Sequence, residues 1–316
     1  MNSKTEIYQL CPHSGYLMHS YLIKTPNNKI IIIDGGNNYY MEKMYLPHAI
    51  RAVLGLKESE YFEIEALFLS HGHIDHYGEF IMMMKEYDQN SNYKINNFYF
   101  DFPDFENSNY DKSDYSLENL ALLKDAFDIY MKVNNIKVEG RYFDALNGAI
   151  INKKTVEKGL SFNIDGVIFD ILQTWDNNDD MINGNSLIIK VYEEHKKGRK
   201  CLFLNDASVG AGKRLLNTCK DKLKSDIVQI SHHGQAGVDK EVYFAIDATV
   251  RLWPTTIWLW KDHKIWNVDE TRGWFGIEEN NYTENDILAC NYKEYPKDYT
   301  SVSDWKSCVD FMKISL

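Results

Sequence analysis

Positive charge is scarce in this sequence: 35 Lys and Arg stand against 46 Asp and Glu, a formal net charge of -11 over 316 residues. That balance repels a polyanion at long range and disfavours a broad nucleic-acid groove. It leaves room for one cationic cleft, because bound divalent metal reverses the local field. Cysteine is sparse too. The five, Cys11, Cys201, Cys219, Cys290 and Cys308, are odd in number, scattered and without a C-x-x-C pair, which points to reduced thiols in a cytoplasmic protein. No apolar run approaches the ~18 residues that span a bilayer, and the first residues hold no apolar signal segment, so no membrane partner is expected. Repeats and low-complexity tracts are missing as well. With 44% hydrophobic and 26% charged residues, the composition excludes disordered and collagen-like classes and describes a globular protein.

What is present reads as alternating strands and helices. Tyr16 to Lys24 and Lys29 to Asp34 are β-rich runs around Thr-Pro-Asn-Asn, and the block Ile30 to Ile33 predicts a hairpin entering a buried sheet. Ile64 to Ser70 predicts another strand, followed by His71-Gly72-His73-Ile74-Asp75-His76 and then helical spacing over Tyr77 to Tyr87. The Met82 to Met84 run in that helix reads as core filling. Phe100 to Asp114 has no clear period and Leu117 to Val133 reads as an amphipathic helix, together a helical excursion near 100–145. Asp165-Gly166 between apolar alternations predicts a tight hairpin. Strands follow at Ser186 to Tyr192, Cys201 to Asn205 and Asp226 to Ile230. Six of the seven tryptophans (Trp253, Trp258, Trp260, Trp266, Trp274 and Trp305) lie from 251 onward, as expected of a C-terminal cap over 251–316. With no linker in view, the expectation is a single domain over 1–316.

The segment 71–76 holds three of the ten histidines and one carboxylate. In an extended loop, alternate residues such as His71 and His73 can converge on one ion, and a turn into helix frees Asp75 and His76 for a second. Polar residues also stand at later strand ends: Asn185, Asp206, His232 and His233. Each has a plainer reading. Asp34 can simply begin a turn with Gly35-Gly36, Asp206 can cap the helix starting near Val209, and the His232-His233 pair can face solvent. His13, His19, His48, His195 and His263 have no partner at ligand spacing and read as structural or surface residues.

The motif His71-x-His73-x-Asp75-His76 after a strand, preceded by Ile33-Asp34-Gly35-Gly36, resembles the signature of the metallo-β-lactamase superfamily. Within it the chain resembles the ComEC-like branch, through Asn185-Ser186-Leu187, Phe203-Leu204-Asn205-Asp206 and Ser231-His232-His233-Gly234 in that order, from about Tyr16 to Pro254. The resemblance implies an α/β, four-layer αββα sandwich of two mixed β-sheets flanked by helices. It also implies two divalent metal ions, with zinc foremost and manganese or iron as alternatives. His71 and His73 would hold one ion and Asp75 and His76 the other, with Asp206 bridging. His232 would complete the second site, leaving His233 as the alternative ligand or a proton donor near the leaving group. Asp34 would lie beneath the metals and orient ligands. The histidine that usually finishes the first site has no match, and Asn185 stands near its place. Asn205 replaces the glycine common before the bridging Asp.

The implied reaction is hydrolysis by a water or hydroxide held between the ions, with Asp75 a ligand first and its role as a base left open. A phosphodiesterase or nuclease-type activity on a nucleotide or short nucleic acid fits the ComEC-like resemblance and the acidic balance. A carbon-ester, thioester or lactone hydrolase, or a non-catalytic metal-binding module, are the alternatives.

Overall fold

A computed structural model describes residues 4–12, 14–39, 44–102, 116–136, 158–176, 182–194, 198–261, 266–288 and 311–316. Two seven-stranded mixed sheets face each other. In the first, β1 (Glu6–Leu10), β2 (Tyr21–Lys24) and β3 (Ile30–Ile33) run antiparallel to one another, and β4 (Phe62–Phe68) joins β3 in parallel. Beyond β4 lie β5 (Tyr93–Ile95) and β6 (Phe98–Tyr99), and β14 (Phe311–Ser315) pairs with β1 at the opposite edge. The second sheet runs in sequence order from β7 (Ser161–Ile164) and β8 (Val167–Gln173) through β9 (Ile188–Glu193), β10 (Cys201–Phe203), β11 (Ile227–Gln229) and β12 (Val250–Trp253) to β13 (Asp286–Leu288). Its last four strands are parallel.

The isoleucine block shows how the layers follow from pleating. Successive side chains of a strand point to opposite faces. Ile31 and Ile33 therefore join Phe68, Phe169, Ile189 and Phe203 between the sheets. Ile30 and Ile32 face outward against α1 (Tyr45–Leu54), α2 (Ile74–Lys85) and α3 (Ser116–Val133), packing with Leu46, Ile50, Phe80, Met83 and Phe127. All four isoleucines are fully buried, worth about 2 kcal/mol each by area removed from water. On the far side, Leu202, Val228 and Trp253 of the second sheet pack under α4 (Val209–Cys219), α5 (Lys240–Ile246), α6 (Ile257–Trp260) and α7 (Val268–Trp274). The order is helices, sheet, sheet, helices, the expected four layers. Among the described residues no helix is long and apolar enough to cross a membrane.

Several local expectations are met for identifiable reasons. Asp165 and Gly166, both at positive φ (55° and 78°), make the tight turn between β7 and β8. Met83 and Met84 are fully buried. Cys11, Cys201 and Cys219 are free and buried, whereas Cys290 and Cys308 lie outside the described residues. Trp253 of β12 and Trp260 are buried beneath the outer layer, Trp258 and Trp266 are exposed, and Trp305 lies outside the described residues. The expected C-terminal cap over 251–316 is corrected: this stretch supplies β12 and β13 to the second sheet and β14 to the first, as well as α6 and α7. Most of the 100–115 stretch and residues 137–157 also lie outside them. A second expectation is corrected. Tyr16 to Ser20 is a loop rather than the start of β2, because its backbone is spent elsewhere: His19 donates its N–H to Asp75 O (3.0 Å) and Gly36 donates to His19 O (3.1 Å).

Gly78 is the residue that lets α2 sit against this loop. Its N–H donates to Gly36 O (2.6 Å), and a Cβ there would stand 2.3 Å from Asn38 N. Glycine to alanine in an exposed helix interior adds up to ~1 kcal/mol of stability. Here Gly78→Ala should instead cost about 1–3 kcal/mol by overpacking, read as a lower urea midpoint; a raised midpoint would show that the loop yields freely.

Candidate metal centre

Strands β3, β4, β10, β11 and β12 all end at one rim of the sandwich, and their following residues converge there. Asp34 leaves β3 with φ 61°, and Asn205 leaves β10 with φ 51°. His232 and His233 follow β11 with φ 51° and 54°. Left-handed backbone at a non-glycine residue costs on the order of 1 kcal/mol or more and collects where function demands it. Four such residues at one rim mark it as a site. The glycine common at position 205 is thereby accounted for: the position needs positive φ, and Asn tolerates it while donating its side-chain amide to Leu187 O.

The tautomers of three imidazoles follow from their outer nitrogens. Ser70 Oγ donates to Asp34 Oδ2 (2.7 Å), so the ring of His71 donates from Nδ1 to Ser70 Oγ (2.9 Å). His76 Nδ1 donates to Asp34 Oδ2 (2.7 Å), and His233 Nδ1 donates to Pro254 O (2.7 Å). Each leaves an Nε2 lone pair facing inward, the arrangement of metal-binding histidines. His76 Nε2 lies 3.2 Å and His233 Nε2 3.5 Å from Asp206 Oδ2, and His233 Nε2 lies 3.0 Å from Asp75 Oδ2. His71 Nε2 stands 3.1 Å from His73 Nδ1 and 3.9 Å from Asp206 Oδ2.

Two ligand groups result. Asp75, His76, Asp206 and His233 form one, His71, His73 and Asp206 the other, with the donor atoms of each within 4.8 Å of one another. Asp206 belongs to both. The donor set fits ions: His76 Nε2 and Asp206 Oδ1 are buried without a hydrogen-bond partner, a costly state for polar atoms unless something else satisfies them. Burial opposes the charge of Asp206, yet His76 and His233 outweigh it and hold the carboxyl well below its usual range. Burial likewise opposes charge on His76, but Asp206, Asp34 and Asp75 raise it well above the ordinary imidazole value, so an ion held there would take the place of a proton on Nε2. His71 goes the other way, lowered by burial and then by His76 and His73, so its lone pair is available.

Three sequence expectations change in detail. His233, not His232, stands in the second group. The Pro254 carbonyl turns its ring inward, while His232 Nε2 accepts from Asn183 Nδ2 (3.1 Å) at the rim. Asn185 accepts the Asp176 N–H on its Oδ1 (2.8 Å), so Asn183 rather than Asn185 meets the site edge. Asp206 does not cap α4; Ser208 Oγ does, accepting from Ala211 N (3.2 Å). Asp34 takes the orienting position, with Ser70 N–H donating to Oδ1 (2.7 Å).

His19, expected from its lack of ligand spacing to be structural or on the surface, lies beside the site. It is fully buried with Nδ1 2.9 Å from Asp34 Oδ2, its ring stacked on His76 at 4.7 Å. Hairpin register was the available signal: Tyr21 pairs with Ile33, so Ser20 falls opposite Asp34 and His19 beside it. His19, Asp34 and His76 also come close enough to hold an ion. Since His76 Nδ1 and both Asp34 oxygens are committed to hydrogen bonds, this trio serves as support for the two groups above it.

Residues 17–128 match the model of the family described as the metallo-beta-lactamase superfamily. The two mixed sheets and their flanking helices are consistent with the metallo-β-lactamase α/β sandwich. Several solved structures resemble the chain at low identity. The metallo-beta-lactamase fold protein YhfI from Bacillus subtilis is 9% identical, with 90% of this chain and 96% of that one covered and a TM-score of 0.42. A diphosphatase from the PhnP family is 12% identical, with 98% of each chain covered and a TM-score of 0.47. The class B3 di-zinc metallo-beta-lactamase LRA-12 from an Alaskan soil metagenome is 14% identical over 72% of this chain and 75% of that one, with a TM-score of 0.39. No curated protein matches the sequence. Proteins of the family matched by residues 17–128 are mostly metal-dependent hydrolases and their fold implies divalent ions, which the His and Asp groups above are suited to hold.

The exchange of roles at 232 and 233 is testable by metal analysis. His233→Ala should lower bound metal, while His232→Ala should keep it; the reverse pattern would restore the sequence expectation. Asp34→Asn should weaken metal affinity about 10- to 100-fold through loss of ligand orientation, measured by competition with a chelator.

Proposed function

We propose that the protein is a dinuclear metallohydrolase that cleaves phosphodiesters, most suitably a nucleotide or a short single strand. The observation that supports it most is the membership of Asp206 in both ligand groups, since a shared carboxylate is what holds two ions close enough to act on one substrate oxygen. His71 and His73 would hold one ion, and Asp75, His76 and His233 the other. Zinc suits this mixed imidazole and carboxylate set, with manganese or iron as alternatives. When bound, such ions supply activated water at neutral pH and countercharge for the substrate oxygens.

The chain's own residues do the positioning. Asp34, through Ser70 and His76, keeps imidazole lone pairs directed inward. His232, held by Asn183 at the rim, is placed to hydrogen-bond a substrate or its leaving group. The formal charge of -11 disfavours a long duplex and is compatible with a small or short substrate. The order of Asn185, Asp206 and the His232-His233 pair along β9, β10 and β11 supports the ComEC-like affinity, and with it the phosphodiester over a carbon ester.

A panel of bis-p-nitrophenyl phosphate against p-nitrophenyl acyl esters tests the substrate class. Turnover of the phosphodiester is expected, and turnover confined to acyl esters would remove the phosphodiesterase reading. His73→Ala should lower bound metal and hydrolysis together while the circular dichroism spectrum persists; unchanged metal content would count against the whole assignment.

A further inference from the structure

The two loops that grip the ligand segment also carry exposed aromatic rings for which hydrolysis itself has no use. In the first loop, Tyr16 lies three residues before His19, whose N–H is bonded to Asp75 O. The second loop continues from Asp34 through Gly36 to Tyr39. Asn37, itself buried, pins the two together: its Nδ2 donates to Leu17 O (2.9 Å) and its Oδ1 accepts the Tyr39 N–H (3.1 Å). The rings of Tyr16 and Tyr39 stack at 4.2 Å with planes 14° apart. Beside them, Trp258 of α6 donates Nε1 to Gly15 O (2.9 Å).

These three side chains are 52%, 43% and 43% exposed, and they are three of the eight exposed large hydrophobic residues among those described. Scattered exposed aromatics need no explanation, but a fastened cluster beside a site does. The cluster is near the site by its electrostatics as well: burial raises the Tyr39 hydroxyl, and Tyr16 and the charge of Asp75 raise it further.

The chemistry of the surface selects its occupant. A flat pair of near-parallel rings offers π faces rather than the trough that would enclose an alkyl chain, and the nearby carboxylate of Asp75 disfavours a second phosphate. A neutral planar ring is the complement, and every nucleobase has such a face. We propose that Tyr16 and Tyr39, flanked by Trp258, form a stacking platform for the nucleobase of a nucleotide phosphodiester whose phosphate lies at the Asp75 and Asp206 cluster. This rests on the phosphodiester reading above and adds the part of the substrate that is recognised.

The test compares two esters with the same leaving group, of which only one carries a base: thymidine 5′-(p-nitrophenyl phosphate) and methyl p-nitrophenyl phosphate. Wild-type protein should prefer the nucleoside ester in kcat/KM. Tyr16→Ala and Tyr39→Ala should each reduce that preference about fivefold or more, the usual loss on removing one stacking ring, while Tyr39→Phe should retain it. A preference unchanged in both alanine variants overturns the platform and leaves the phosphodiester reading standing. If wild-type protein cleaves neither ester, the phosphodiester reading fails, and the platform is judged by equilibrium titration with AMP and ribose 5-phosphate. Tighter binding of AMP that is lost in Tyr39→Ala supports the platform; equal affinities overturn it.

Discussion

The carboxylate of Asp34 is the interaction on which the rest of the rim depends. It sits with no exposed surface below the ligand groups and accepts from the Ser70 backbone and hydroxyl and from His76, with His19 alongside. A buried carboxylate without partners costs several kcal/mol, and this one is surrounded by them. Burial works against its charge, while His76 and His19 outweigh burial and keep it ionised. The anion in turn fixes which nitrogen of His76 carries a proton and, through Ser70, which nitrogen of His71 does. Ligand geometry above is therefore set by a charge below, and that charge is held where β3 and β4 run side by side in parallel.

Much of this was legible in the sequence because it is local. The alternation of Ile30 to Ile33, the turn at Asp165-Gly166 and the helix after His76 each depend on residues within one element. The His71 to His76 spacing marked candidate ligands because few other reasons assemble three imidazoles and a carboxylate in six positions. What escaped is set by contacts across the chain. His19 matters only because hairpin register delivers it beside Asp34. The choice between His232 and His233 is made by the carbonyl of Pro254, some twenty residues away, and by two successive left-handed residues that composition does not reveal. Asn183 rather than Asn185 meets the edge because a short 3-10 turn at Asn183–Asn185 turns the second amide back toward Asp176.

Glycine and asparagine have distinct uses around the site. Gly78 permits a close backbone approach that any side chain would obstruct, whereas Asn205 fills a left-handed position and ties it to β9 with its own amide. One residue works by having no bulk, the other by bonding locally. Each fixes connections within one sheet, Gly78 those after β3 and β4 and Asn205 those around β9 and β10, while the ligand groups span the sheets, Asp75 and His76 coming from one and Asp206 and His233 from the other.

The pattern of burial at the rim has its own consequence. His71, His76, Asp206 and His233 are almost wholly enclosed, while His73, Asp75 and His232 keep partial access to solvent. The partly exposed donors His73, Asp75 and His232 mark the side from which a cation or reactant reaches the enclosed ones, so a molecule resting against them would shield whatever His71, His76, Asp206 and His233 hold.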